Sequence, residues 1–224
     1  MRKVISIASA APGYDMNSFT RFLAKKVAWD NPGIRVLRIY GSSGRKPTNP
    51  VLDHVYPFED VRINEDDYRP GVFSYYADAA VATKNLLPDM AVNIVRSLAD
   101  KYDLVICDAG CHIEDPLALG CLFASDDTLY VLDHTRESLN RYAWLKPLLD
   151  KLGVHVAGHI VDLRSREPKY KTEEYLKATE DKEFVRSFFL DNDMFEDDMD
   201  RLISSLASGY QNMKALQKIE RGER

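Results

Sequence analysis

The stretch Val4-Ile5-Ser6-Ile7-Ala8-Ser9-Ala10-Ala11-Pro12-Gly13-Tyr14-Asp15-Met16-Asn17-Ser18 decides the fold class. It opens as a short apolar run and passes into small residues. Beyond it Phe19, Phe22, Leu23, Lys26 and Val27 recur at three- and four-residue steps. A strand, a loop and a helix are predicted in that order. Asn31-Pro32-Gly33 stops the helix.

Working outward, Arg35 to Tyr40 reads as a second strand, and Gly41 to Pro50 as a loop rich in Gly, Ser, Pro and Asn. Residues 51 to 70 carry no regular pattern. Helical patterns are predicted from Phe73 to Leu87 and from Met90 to Lys101, with Pro88 as the break. Leu104 to Cys107, Thr128 to Leu132 and Val154 to Val161 are apolar strands, with a helix from Ser138 to Leu152 between the last two. Phe184 to Leu190 adds a short strand, and Met199 to Ile219 a closing helix. Strands without polar alternation belong in a parallel sheet covered on both faces. Their alternation with helices specifies a doubly wound α/β domain, expected as one unit over residues 1–224.

The loop from Ala11 to Ser18 resembles the opening of the ParA/MinD family of P-loop ATPases, K-G-G-x-G-K-S/T-S/T. Three further stretches support the likeness. Leu104-Val105-Ile106-Cys107-Asp108-Ala109-Gly110 is similar to the Walker B strand, whose aspartate holds the magnesium shell. Asp126 to Leu132, leading to Ser138, is similar to the family's D-x-x-h-h-V segment, with Ser138 as the expected N-cap. Phe188-Phe189-Leu190-Asp191 stands where family members carry an I-P-x-D turn beside the adenine. The resemblance implies a doubly wound, mainly parallel sheet flanked by helices.

The residues that ATP chemistry needs are replaced. In that alignment Ala11 takes the place of the lysine that reaches across the family's dimer, and Met16 that of the in-chain lysine. Asn17 replaces the magnesium-binding hydroxyl, with Ser18 beside it, and Gly13 is the one glycine kept. Pro12 removes a backbone donor, and Asp15 sets a carboxylate where phosphate would lie. Asp162 stands where the family places an adenine-contacting asparagine. The second strand ends Ile39-Tyr40-Gly41-Ser42, without the aspartate that positions the attacking water. Asp108 and Gly110 persist. Asp108 is read as a strand-end cap in preference to a metal ligand, so Asp108→Asn is expected to cost about 0.5–2 kcal/mol.

Other residue patterns point to structure more than chemistry. The chain has 224 residues, 45% hydrophobic and 29% charged, with a formal charge of −5, which argues against a large nucleic-acid face. The run from Val4 to Ala8 is too short for a secretory signal, and no stretch has the length of a membrane span. Cys107, Cys111 and Cys121 lack zinc or redox spacing and read as small buried residues. His155 and His159 lie too far apart along a strand to chelate together. Cys111-His112 is the sole candidate for an unrelated enzyme site. The acidic run Asp191 to Asp200 lacks a calcium-loop glycine and reads as a solvated face or a docking site for a basic partner. The tail Tyr210 to Arg224 reads as a last helix, with contact to a membrane surface as the alternative.

The expected function is therefore a pseudo-ATPase: a cytoplasmic localisation, scaffold or regulatory module with no cofactor and no catalytic residue. Among family members the likeness is to TadZ/CpaE proteins of Tad-type pilus loci, which implies pilus or secretion machinery as partner. An atypical active ATPase holding ATP and magnesium through Asp108 and Ser18 is the alternative. A homodimer that forms without nucleotide is expected, with the Ala10 to Tyr14 loop at its axis.

Overall fold

The computed structural model describes residues 3–11, 13–41, 64–65, 72–76, 87–113, 115–133, 135–162, 187–190 and 199–207, together with residues 174, 177 and 197. Its strands are β1 (Lys3–Ser9), β2 (Val36–Tyr40), β3 (Asn64–Glu65), β4 (Val72–Tyr76), β5 (Leu104–Gly110), β6 (Asp127–Asp133), β7 (Val156–Asp162) and β8 (Ser187–Leu190). The helices are α1 (Met16–Asp30), α2 (Pro88–Ala99), α3 (Pro116–Ala124), α4 (Arg136–Lys151) and α5 (residues 199–207). The described strands form one sheet in the order β3-β4-β2-β5-β1-β6-β7-β8. All neighbouring pairs are parallel except β3 with β4.

The central strands are apolar because both faces of the sheet are covered. On one face α1 and α5 lay Phe19, Leu23, Val27, Leu202 and Leu206 over Ile5, Ile7, Ile106 and Val131. On the other, α2 and α3 cover Leu37, Ile39, Val105 and Cys107, while Tyr142, Leu145 and Leu149 of α4 pack with Tyr130, Leu132 and Val161. Asn31 ends α1: its backbone N–H and its Nδ2 both donate to Val27 O, at 3.1 and 3.0 Å.

The structure corrects the sequence reading in several places. Val72–Tyr76, expected as the start of a helix, is strand β4, in parallel register with Val36–Tyr40 of β2. Val-Phe-Ser-Tyr-Tyr is rich in strand formers, and β2 supplies the edge that decides the matter. Residues 77–86 lie outside the described set. Helix α3 was not expected, because its sequence is apolar nearly all round and shows no amphipathic period; such a helix is a buried one. Strand β5 runs on to Gly110, which places Asp108 within the sheet opposite Ile7 and Tyr40. The N-cap of α4 is Thr135, whose Oγ1 accepts from Ser138 N at 3.1 Å. Ser138 sits inside the first turn, and its Oγ accepts from Asp133 N at 3.2 Å. Of the closing helix expected over Met199 to Ile219, residues 199–207 are described and helical.

Helices α2 and α3 meet at Gly120, where an added Cβ would stand 2.2 Å from Ala91 Cβ and 3.0 Å from Ala91 C. Gly120→Ala is expected to destabilise the fold by about 1–3 kcal/mol, although alanine favours a helix over glycine by about 1 kcal/mol. A urea midpoint measures it, and adding Ala91→Gly should recover much of the loss. An unchanged midpoint for the single variant would contradict the close contact.

Candidate functional site

The order of strands reverses around β1: the chain leaves it toward β2 on one side and later crosses from β5 to β6 on the other. In open α/β sheets such a reversal opens a crevice at the carboxyl ends of the strands. Here the loop after β1, the first turn of α1, and the ends of β5 and β7 meet there.

Five backbone N–H groups of the loop and the first turn donate to acceptors within the protein. Ala10 N donates to Val131 O at 3.0 Å, Ala11 N to Ser9 Oγ at 3.0 Å and Tyr14 N to Ala11 O at 3.3 Å. Met16 N donates to Tyr14 O at 2.8 Å, and Ser18 N to Asp15 Oδ1 at 3.1 Å. These N–H groups are therefore committed to protein acceptors. Gly13, at a φ of +77°, makes the turn a side chain would strain. Asp15 is the N-cap of α1, so its carboxylate fills the place at the positive end of the helix where an external anion could bind.

Met16 does not face the crevice but is buried in the α1 core. Ala10 and Ala11 are buried too, Ala11 to 1% exposure. An arginine at Ala11 would therefore have to enter the interior, so within the Ala10 to Tyr14 loop the Ala11 side chain is not a surface group. The surface of this loop, among its described residues, is Gly13, Tyr14 and Asp15, with Asn17 and Ser18 on the first turn behind.

Beneath that turn lies a charged cluster. Arg38 of β2 shares the α1 face of the sheet with Val36 and is 1% exposed. Its Nη1 donates to Asn17 O and Asn17 Oδ1, both at 2.8 Å. Asp108 is fully buried, and its Oδ1 accepts from Gly110 N at 3.0 Å. The Thr20 hydroxyl lies within donating reach of both Met16 O, at 2.8 Å, and Asp108 Oδ2, at 3.3 Å. Burial pushes the Asp108 carboxyl up to about 6, against the pull of the Arg38 guanidinium, the Gly110 N–H and the Thr20 hydroxyl. Asparagine would keep the acceptor for Gly110 N and avoid burying a charge. The loss expected for Asp108→Asn from capping alone is therefore offset at neutral pH.

Gly41 closes the end of β2 against this cluster. Its N–H donates to Asp108 O at 2.8 Å, and a Cβ would lie 2.9 Å from that oxygen. At the end of β7, Asp162 Oδ2 accepts from Tyr14 Oη at 2.6 Å. His159 is buried with Nε2 2.8 Å from Tyr142 Oη. Cys107 and Cys121 are buried free thiols, Cys111 is half-buried, and Cys111 O accepts from Arg141 Nη2 at 2.6 Å. Among the described residues, no group of three or more His, Cys, Asp or Glu side chains could hold a metal ion.

Sequence reasoning named Asp15, Asn17, Ser18, Asp108, Gly110 and Asp162, and the structure gathers them at this end of the sheet. It missed Arg38 and Thr20. Arg38 did leave a signal, being one charge in the otherwise apolar run Val36-Leu37-Arg38-Ile39.

No family model matches the chain, and no curated protein does either. Solved structures do match. A ParA family ATPase from Chlorobium tepidum is 18% identical, with a TM-score of 0.61 over 92% of each chain. The septum site-determining protein MinD of Pyrococcus horikoshii, complexed with Mg-ADP, is 19% identical at a TM-score of 0.63, over 89% of this chain and 85% of that one. The MinC:MinD cell division complex of Aquifex aeolicus contains a chain 15% identical at a TM-score of 0.65, covering 89% and 85%. The fold is that of the ParA/MinD P-loop ATPases. No helix among the described residues is long and apolar enough to cross a membrane.

Proposed function

We propose that this chain is a pseudo-ATPase, a binding and localisation module that keeps the ATPase scaffold without nucleotide as its switch. The observation that carries the reading is the loop after β1, whose N–H groups at Ala10, Ala11, Tyr14, Met16 and Ser18 are bonded within the protein. A phosphate-binding loop works by turning such donors toward the ligand. Three further features agree. The Asp15 carboxylate opposes a triphosphate, Met16 sits in the core where a lysine would have to reach out, and the Arg38 guanidinium lies against Asn17. These residues do not fit a magnesium nucleotide.

Calorimetry with Mg-ATP tests the reading. No saturable heat is expected below about 1 mM, which corresponds to roughly 4 kcal/mol of binding free energy. A micromolar isotherm would overturn it and favour an atypical ATPase. In the same samples, light scattering should find a homodimer with or without ATP. A dimer that forms only when ATP is added would count against the proposal as well.

The partner under this reading is a protein, as MinC is in the Aquifex aeolicus MinC:MinD complex. Pilus or secretion machinery on the cytoplasmic side of a membrane is the setting that the TadZ/CpaE resemblance suggests. Nucleic acid is not the partner, given the net charge of −5. The tail and most of the acidic run lie outside the described residues.

A further inference from the structure

Helix α4 is apolar on two sides. Leu139, Tyr142, Leu145 and Leu149 turn inward, while Trp144, Leu148 and the C-cap Leu152, at steps of four along the outer side, are 71%, 36% and 39% exposed. At the N-terminal end of this stripe a depression of about 550 Å³ is lined by Arg136, Glu137, Asn140, Arg141 and Trp144. We propose that this face docks a short acidic segment of a protein partner, with carboxylates over Arg136 and Arg141 and a large apolar side chain against Trp144 and Leu148. The inference rests on the reading above, that this chain works by binding proteins, and it names the surface and the chemistry of the contact.

The groups that meet the partner are uncommitted. Among the described residues Arg136 and Arg141 make no ion pair, although Glu137 stands four residues ahead of Arg141, a spacing at which helical pairs form. Arg141 gives one of its five N–H donors to Cys111 O at 2.6 Å, and that neutral carbonyl leaves its charge uncompensated. The bond also holds the guanidinium in place, so less side-chain freedom is lost when a ligand arrives. Trp144 stacks on no other ring among the described residues.

Charge selects the partner. The chain carries −5 overall, yet α4 holds Arg136, Arg141, Lys146 and Lys151 against Glu137 and Asp150, four positive charges to two negative. Lys146 pairs with Asp150 at 2.6 Å, which leaves two guanidiniums and one carboxylate beside Trp144. Arginine meets a carboxylate with two parallel N–H donors, and Trp and Arg are the residues enriched at protein contacts. From Arg136 to Leu152 the face is about 24 Å long at the helical rise, the reach of about seven extended residues. A second copy is the poorer fit: one aromatic side chain buries about 150–250 Å², against roughly 800 Å² per partner in a stable interface. A bilayer presents a flat surface and leaves the depression unfilled.

The probe is the heptapeptide acetyl-Asp-Glu-Asp-Glu-Gly-Phe-Leu amide. Its controls are the Asn-Gln-Asn-Gln form, which lacks the charges, and a form with Ser-Ser for Phe-Leu, which lacks the apolar end. Amide NMR spectra of the full chain should show saturable shifts at Arg136, Arg141, Trp144 and Leu148 at about submillimolar concentration, weakening as salt rises. Both controls should bind at least about tenfold more weakly. Arg136→Glu and Trp144→Ala should each weaken the probe as much, and both change exposed side chains, so the fold is kept. An equal response to either control, an unchanged response in either variant, or no saturation overturns the proposal. Two parallel measurements identify the other occupants. A homodimer lost in Trp144→Ala by light scattering would give the face to a second copy. Sedimentation with phosphatidylglycerol vesicles that Trp144→Ala abolishes would give it to a membrane, and either result overturns the proposal. Calorimetry with Mg-ATP stands apart: a micromolar isotherm sinks the pseudo-ATPase reading, whereas the peptide comparison alone decides this face.

Discussion

Arg38→Met is expected to cost about 3–5 kcal/mol of folding stability at pH 7, since it loses two hydrogen bonds from a charged donor, each worth about 1.5–3 kcal/mol. Methionine keeps most of the stem volume and removes only the charge and the donors. Two bonds of 2.8 Å to Asn17 are lost, so the first turn of α1 is released from β2. Asp108, fully buried, then faces the interior without its nearby cation. The carboxyl can escape part of that cost by taking a proton, so the loss should be smaller at pH 5 than at pH 7. Urea unfolding at both pH values measures this. A double-mutant cycle with Asp108→Asn should show a coupling on the order of 1–3 kcal/mol. A variant within about 0.5 kcal/mol of wild type, the range of an ordinary surface change, would contradict the role given to Arg38.

The second large effect is a pH dependence carried by Asp108. Its folded-state value of about 6 lies above the ordinary carboxylate value of 3.8. Between these limits the folded protein holds a proton that the unfolded chain has released. The stabilisation is therefore complete below about pH 4 and is lost as pH rises through 6. One pKa unit corresponds to about 1.4 kcal/mol, so the full change is on the order of 2–3 kcal/mol. Asp108→Asn cannot titrate. Subtracting its stability from that of the wild type at each pH cancels the other groups, and the difference should fall by that amount between pH 4 and 7. A flat difference, or one that rises with pH, would show that Arg38 holds the carboxylate ionised throughout.

Arg38 and Asp108 together explain why a charged group is tolerated in the central sheet. Each is costly to bury alone. The Gly110 N–H bonds the carboxyl and the Asn17 oxygens accept from the guanidinium. Asn17, where the resemblance places a metal-binding hydroxyl, thus binds a cation that belongs to the protein.

How much of this was legible beforehand depends on how far apart in the chain the deciding groups lie. The apolar runs that became β1, β2, β5, β6 and β7 were readable, because a strand buried on both faces carries its signal within itself. So was α1, with its three- and four-residue spacing and its stop at Asn31. That a carboxylate and an uncharged chain, Asp15 and Met16, stand where the resemblance places a glycine and a lysine was likewise plain in the sequence.

Helix α3 was not legible, because a segment apolar all round has no period to betray it until α2 and the sheet enclose it. Nor was β4, whose strand state depends on pairing with β2. The charged cluster is the clearest case. Arg38 meets Asn17 across 21 residues of sequence, and Thr20 meets Asp108 across 88. Sequence alone determined the apolar strands β1, β2, β5, β6 and β7 and the first helix, because propensity and period act within a few residues. Tertiary structure alone decided that Asp15 caps its own helix, that Ala11 turns inward and that Arg38 lies beneath Asn17. Those outcomes depend on which strands lie side by side and on the burial that this order imposes.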